Sequence, residues 1–489
     1  MNILFAASEM SPFHKSGERA DVIRTLVRKI AELGHEVSII LPGYKDIDRH
    51  YFGFKSLDLE IPIPIARELW TFSVYSAQWD GVDVYLLENE QFKRGSRQSD
   101  VLSKDTKDGL NYMFFSRAII ETILALDIKP DVIHVHEWQV AMTFAYLSTL
   151  YKNSELNKKT ARIFTIHNLG FQGVFPESVF TMSKLPREVY ENQLRYHGNV
   201  SFTLGGIYYA DAISTVSETY AKEITESELG MGFQSDLKNR KNDIHGILNG
   251  IDCQEWNPET DTFIKQNYSI NDPAGKYECR KSLSKQCGFE ADDTIPLFGM
   301  VTKLNDLKGF DILEKASQKL HEIDLRLVIL GIGSYEWYNT LQHYQELYPD
   351  RLKVFLRFDK RMEHQIYAGS DVFLMPSKIE PCGLGQMIAM RYGTIPMVHA
   401  TGGLADTVID FCDDPENGTG IAFKDYSPDA LIESVMKVIK TFNSSDRKQW
   451  IKIQKNCMSQ DCSWNKSAAK YVELYKFICL KKSTKTTLW

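Results

Sequence analysis

The sequence predicts an α/β protein made of two doubly wound, parallel-sheet domains in succession. Three observations carry this prediction. Short apolar runs alternate with longer stretches of helical spacing from residue 2 onward, and the same alternation restarts near residue 297. The chain of 489 residues is also too long for one ordinary core.

In chain order, "NILFAAS" reads as a buried strand and "ADVIRTLVRKIAELGH" as a helix. Val22, Leu26, Ile30 and Leu33 recur at helical spacing, and Gly34 is a stop signal. "EVSIILPGY" completes a βαβ unit, which requires a parallel sheet. Further strands are expected at "VDVYLLE", "VIHVH", "ARIFTIHN" and "AISTVS", with a helix at "GLNYMFFSRAIIETILALDI". Asn, Gly, Asp and Pro then interrupt the pattern in "GILNGIDCQEWNPETD", a domain boundary. Beyond it, strands "PLFGMVTKL", "LRLVILGIG", "RLKVFLRF", "DVFLMPS" and "IPMVHA" alternate with helices "FDILEKASQKLHEI" and "GLGQMIAMRYG". The expected domains are 1–245 and 246–460, with a ligand crevice between them. In 461–489, "AAKYVELYKFICL" reads as a packed helix and "KKSTKTTLW" as a loosely ordered tail.

Composition narrows the function. Apolar residues make up 43% and charged residues 25%, as in a water-soluble globular protein. A formal charge of −7 supplies no overall basic field for nucleic acid or an acidic membrane, so neither is an expected partner. No apolar run has the length of a membrane span or a secretory signal, and the expected location is cytoplasmic. All eight cysteines lie at or after Cys253 without a CxxC pair or zinc-like spacing. Thiols in a reducing compartment are expected, and no metal site.

Several predicted strands end in groups suited to an anion. Lys303 and Lys308 follow "PLFGMVTKL"; they read either as a clamp for a diphosphate or as solvated surface lysines. "LGIGS" is a glycine turn with little specificity. In "TGGLADTV", Gly402 and Gly403 precede a helix, and serve either to present backbone N–H groups to an anion or simply to make a tight turn. Glu380, in "PSKIEPCGL", is placed to grip sugar hydroxyls. His167 lies just past a strand end, and spacing alone gives it no catalytic role.

Taken together, "SEMSPF", "TIHNLGFQGVFP", "YYADAISTVSETYAKEI", "GILNGID", "EPCGL" and "YGTIPMVHATGGLADTV" resemble the bacterial glycogen synthases and plant starch synthases, nearly end to end. The resemblance implies a GT-B fold: two Rossmann-like domains facing a deep cleft, the last helix crossing back to the first. It implies transfer of glucose from ADP-glucose to the non-reducing end of an α-1,4-glucan such as glycogen. Configuration is retained, and neither metal nor cofactor is required. By this resemblance Lys303 and Lys308 neutralise the departing diphosphate, and Gly402, Gly403 and Leu404 hold its phosphates. Glu380, Cys382 and Gly383 border the donor glucose, and the His167 carbonyl lies near the anomeric carbon. Asn249 lines the cleft, Phe358 takes the place of an adenine-stacking Tyr, and Glu137 that of a catalytic Asp.

The family's first loop, K-[TV]-G-G-L-[AG]-D, reads "KSGERAD" here. Lys15, Gly17 and Asp21 match, whereas Glu18 and Arg19 replace Gly and Leu. A carboxylate about 4 Å from a phosphate charge costs roughly 4 kcal/mol at an effective dielectric near 20, or about three orders of magnitude in donor affinity. Arg19 offsetting Glu18, or Glu18 turning to solvent, would relieve it. Lys303 and Lys378 stand in place of arginines, Leu204 of a Lys, Arg357 of a Gly, Gly385 of a Thr, and Phe92 lies near a usual Tyr. The alternative to an ordinary synthase is therefore a weakened, respecialised or non-catalytic glucan-binding relative.

Overall fold

The structure, a computed structural model, describes residues 1–93, 106–290, 292–445 and 447–486. Most of the segment "NEQFKRGSRQSD", which holds Phe92, and the end of the polar tail fall outside these residues. The chain divides into unit 1, Met1–Asn249 with Trp464–Trp489, and unit 2, Gly250–Ser463.

Unit 1 is built on β1 (Asn2–Ala6), β2 (Glu36–Pro42), β3 (Lys55–Ile65), β4 (Glu68–Trp79), β5 (Val82–Glu88), β6 (Val132–His136) and β7 (Ala161–Ile166). A small antiparallel sheet follows, from β8 (Val174–Pro176), β9 (Arg195–Tyr196) and β10 (Asn199–Ser201); β11 (Ala212–Thr215) and β12 (Ile244–Gly246) rejoin the main sheet. The main order is β12-β11-β7-β6-β1-β2-β5-β4-β3, parallel as far as β5 and antiparallel beyond it. Strands β1, β2, β6 and β7 are buried almost throughout, as strands covered on both faces must be.

The long β3–β4 hairpin was not among the expected strands. Its alternation is present in "KSLDLEIPIPI" but is weakened by two prolines. These sit on an edge strand, where a missing N–H costs nothing and blunts unwanted pairing.

Unit 2 carries β13 (Leu297–Leu304), β14 (Arg326–Gly333), β15 (Leu352–Phe355), β16 (Val372–Met375), β17 (Ile395–His399) and β18 (Ile421–Phe423). Their order, β15-β14-β13-β16-β17-β18, is all parallel. This is the doubly wound order, with connections leaving β13 and β16 toward opposite edges. The predicted strand 351–358 is shorter than expected, which leaves Arg357 and Phe358 in the loop beyond β15.

The last helix, Trp464–Thr486, belongs to unit 1. Tyr471, Tyr475 and Ile478 are buried there, and Lys470 and Lys481 pair with Glu218 and Asp243 at 3.1 and 2.8 Å. The Tyr475 hydroxyl shares a 2.8 Å hydrogen bond with His134 Nδ1, deep beneath β6. Replacing Tyr475 with Phe leaves that ring nitrogen buried without its partner. A loss of about 1–3 kcal/mol in urea unfolding is expected, and an unchanged midpoint would contradict the assignment.

Candidate functional site

In unit 1 the connections from β1 and β6 leave in opposite directions, so the crevice outside their carboxyl ends is the natural ligand position. Just past β1, Glu9 is buried, and both of its oxygens are engaged. Oε2 accepts the backbone N–H and the hydroxyl of Ser16, each at 2.7 Å, and Oε1 meets Arg19 Nη2 at 2.6 Å. Burial pushes this carboxyl up, but the charge of Arg19 and the Ser16 bonds outweigh it and hold Glu9 below its ordinary range.

In the first loop Arg19 turns inward to Glu9. Lys15 pairs with Asp21 at 2.5 Å on the exposed rim, with Gly17 half-buried beside them. Glu18 has helical backbone angles at the start of the Arg19–Glu32 helix, and its side chain is exposed. At the dielectric of bulk water the 4 Å repulsion falls to about 1 kcal/mol, so the expected penalty shrinks several-fold.

Glu137 follows β6 with φ 69° and ψ 170°, a region that a residue bearing a Cβ occupies only under strain. Its buried Oε1 accepts the backbone N–H groups of His167 at 2.6 Å and Asn168 at 3.0 Å. The longer side chain, in place of Asp, still reaches the turn after β7. His167 Nε2 and His136 Nδ1 share a 2.9 Å hydrogen bond. Burial, reinforced by the charge of Arg19, pushes His136 down to about 3; burial, His136 and Arg19 together hold His167 well below its ordinary value. Asn249 is buried, and its Oδ1 has no partner among the described residues.

In unit 2 the corresponding crevice lies between β13 and β16. Lys308, on the turn after β13, donates to Glu380 Oε2 at 2.6 Å, and the Ser377 hydroxyl donates to the same oxygen at 3.1 Å. Lys303, near the end of β13, is exposed. Cys382 is buried, and Gln386 Nε2 donates to the carbonyls of Cys382 and Gly383 at 3.0 and 2.9 Å, fixing that turn. Phe358 is 74% exposed and presents its ring to solvent.

The glycine pair, which forms the first two residues of the Gly402–Thr407 helix rather than preceding it, is required by close approach. A Cβ at Gly402, which has φ 46°, would lie 2.1 Å from the Glu380 carbonyl oxygen, and one at Gly403 would lie 2.0 Å from that of Cys382. The Gly403 N–H already donates to the Glu380 and Pro381 carbonyls, and the Leu404 N–H to that of Thr401. A phosphate at this turn has to share these amides. The glycines therefore do more to brace the Glu380 loop than the sequence conveyed.

Sequence reasoning missed Glu9 and His136 as members of the site. Both are polar residues at the carboxyl end of a buried parallel strand, a signal that was available.

Comparison with known proteins agrees with this division. Residues 2–239 match the starch synthase catalytic domain and residues 287–456 match glycosyl transferases group 1. The chain is 42% identical over 488 residues to a glycogen synthase of Geotalea daltonii, covering 99% of this chain and 100% of the relative. It is 38% identical over 483 residues to a glycogen synthase of Thermotoga maritima, covering 97% and 98%. Its structure is similar to the catalytic domain of starch synthase IV from Arabidopsis thaliana bound to ADP and acarbose, with a TM-score of 0.88, 31% identity and coverage of 98% and 99%.

The neutral histidine pair makes stability depend on pH. As pH falls through the ordinary value of 6.5, the unfolded chain takes up a proton that folded His136 refuses until about pH 3, so the native state loses stability across that window. From His136 alone the loss between pH 6.5 and pH 5 is about 2 kcal/mol. Urea unfolding at pH 7 and pH 5 should show this dependence shrinking by about that amount in His136→Gln. An identical dependence in the variant would contradict it.

Proposed function

The chain belongs to the family of glycogen and starch synthases, glucosyltransferases of GT-B fold, and on that footing we propose that it moves glucose from ADP-glucose to the non-reducing end of an α-1,4-glucan. The observation that carries this reading is the Lys308–Glu380 pair outside β13 and β16, where an open parallel sheet takes its ligand. The reacting bond joins the glucose anomeric carbon to the diphosphate, whose oxygen leaves with the electron pair. Lys308 and Lys303 stabilise that charge; Lys308 is already fixed in direction by Glu380, so little reorganisation is needed as the bond breaks. Glu380, oriented by Ser377 and Lys308, accepts hydroxyl hydrogen bonds from the donor glucose. Phe358 offers a face for the adenine.

The acceptor hydroxyl attacks on the face the diphosphate leaves, which retains configuration, and its proton passes to the departing phosphate oxygen. Glu137 fixes the His167–Asn168 turn, which sets the position of the His167 carbonyl near the reacting carbon. Asn249, with an uncommitted buried oxygen, is a hydroxyl partner. Lys15, Gly17 and Asp21 form the rim that meets the donor phosphates. Lys303 in place of Arg keeps the charge but gives up a bidentate grip. We place the reaction in the cytoplasm, in keeping with eight cysteines none of which is joined in a disulfide. The comparisons lend no support to a non-catalytic glucan-binding relative.

The test is nucleotide release from ADP-, UDP- and GDP-glucose, with and without glycogen. Glycogen-dependent ADP release is expected, reduced at least a hundredfold by Glu380→Ala. No release with any donor would overturn the reading. Because Glu18 is exposed, Glu18→Gly should tighten ADP-glucose only about fivefold in calorimetry. Unchanged or weaker binding would show that Glu18 does not oppose the phosphate.

A further inference from the structure

Arg19 is the charged side chain of the first loop that turns into unit 1, at a position where the related loops carry leucine. Its guanidinium is largely buried, pairs with Glu9 at 2.6 Å and reaches the Ser8 hydroxyl at 3.5 Å. Glu9 in turn holds Ser16, and so the backbone of the loop that carries Lys15 and Gly17. The same cation lies within electrostatic reach of Glu137, the carboxylate that holds the backbone of His167 and Asn168. Two buried carboxylates, one past β1 and one past β6, therefore each fix a loop, and one arginine serves both.

We propose that Arg19 is a positioning residue for glucosyl transfer: through its ion pair with Glu9 it holds the first loop, and its charge supports Glu137, which holds the His167–Asn168 turn, in their working geometry. The inference rests on the transfer reading for what those loops do. It concerns how this chain maintains them.

The titratable groups within electrostatic reach of Arg19 come from several elements. They are Glu9 past β1, Tyr44 past β2, Tyr112 from the Thr106–Ala125 helix, His136 and Glu137 at the end of β6, and His167 past β7. Asp108, on the helix of Tyr112, adds to the field there. Burial keeps both tyrosines protonated, so they add no charge at neutral pH. Burial raises Glu137, and Arg19 together with the backbone N–H groups of Asn168, His167 and Trp138 opposes that rise. Arg19 also disfavours a proton on His136 and His167. Removing the guanidinium shifts the two carboxylates and the two imidazoles in one direction, toward protonation at higher pH.

The experiment compares the full-length native chain with Arg19→Leu, Arg19→Lys and the double variant Glu9→Gln with Arg19→Leu. Each is measured for kcat and kcat/KM from pH 5 to pH 9, with histidine side-chain NMR titrations. In Arg19→Leu the acid limb of kcat should move up by at least about one pH unit. Activity should stay within about threefold of native at pH 8.5 and fall more than tenfold at pH 6. Arg19→Lys should restore most of the native profile. The double variant removes the stranded Glu9 carboxylate, so it folds even if Arg19→Leu does not, and it should keep the shifted limb because Glu137 still lacks its cation.

A loss of activity equal at all pH values, with histidine titrations unmoved, would overturn the proposal. So would a native profile in the double variant. The NMR titration needs no turnover. A chain that transfers nothing yet shows the histidine shift would defeat the transfer reading and leave this one standing.

Discussion

A parallel sheet has one end where chemistry can be placed, and the rest of this protein follows from that constraint. Each unit packs its sheet on both faces, so strand interiors are apolar and every polar group that is to meet a ligand must wait for the strand to end. The crevice opens where adjacent strands send their connections to opposite sides, between β1 and β6 in unit 1 and between β13 and β16 in unit 2. Glu9, the first loop, Glu137 and His167 all emerge at the carboxyl ends of unit 1, as Lys308, Glu380 and the Gly402–Gly403 turn do in unit 2.

The loops at those ends bury charge, and buried charge must be matched. The two units meet this need with the same device. A carboxylate accepts from a cation and from a neutral donor: Glu9 from Arg19 and Ser16 on separate oxygens, Glu380 from Lys308 and Ser377 on one oxygen. Each pair is formed within the chain itself, as electrostatic preorganisation requires. The strained backbone of Glu137 belongs to the same economy, since its carboxylate holds two amides of the neighbouring turn at once.

Much of this was legible in the sequence, because burial and periodicity are local. The strand "VIHVH" and the helix "FDILEKASQKLHEI" lie where their spacing put them. The β3–β4 hairpin was not read, since its prolines mimic a loop until the strand is known to lie on an edge. Pairing was harder still. In "SEMSPFHKSGERAD" an arginine has three carboxylates near it, Glu18 adjacent, Asp21 just beyond and Glu9 distant in sequence, and spacing favours the adjacent one. The fold joins it to a distant one: at the start of the Arg19–Glu32 helix the arginine turns inward to Glu9, while Glu18 is exposed. The glycine pair was legible as a turn, but its contact with the Glu380 and Cys382 carbonyls is a property of the packed chain.

The central claim is that the departing diphosphate is received where β13 and β16 diverge. The most direct measurement is the structure of the protein crystallised with ADP. The account predicts the terminal phosphate within hydrogen-bonding distance of Lys308 Nζ and Lys303 Nζ, with Lys308 still contacting Glu380 and the base lying on Phe358. ADP bound elsewhere, or with its phosphates remote from both lysines, would contradict it.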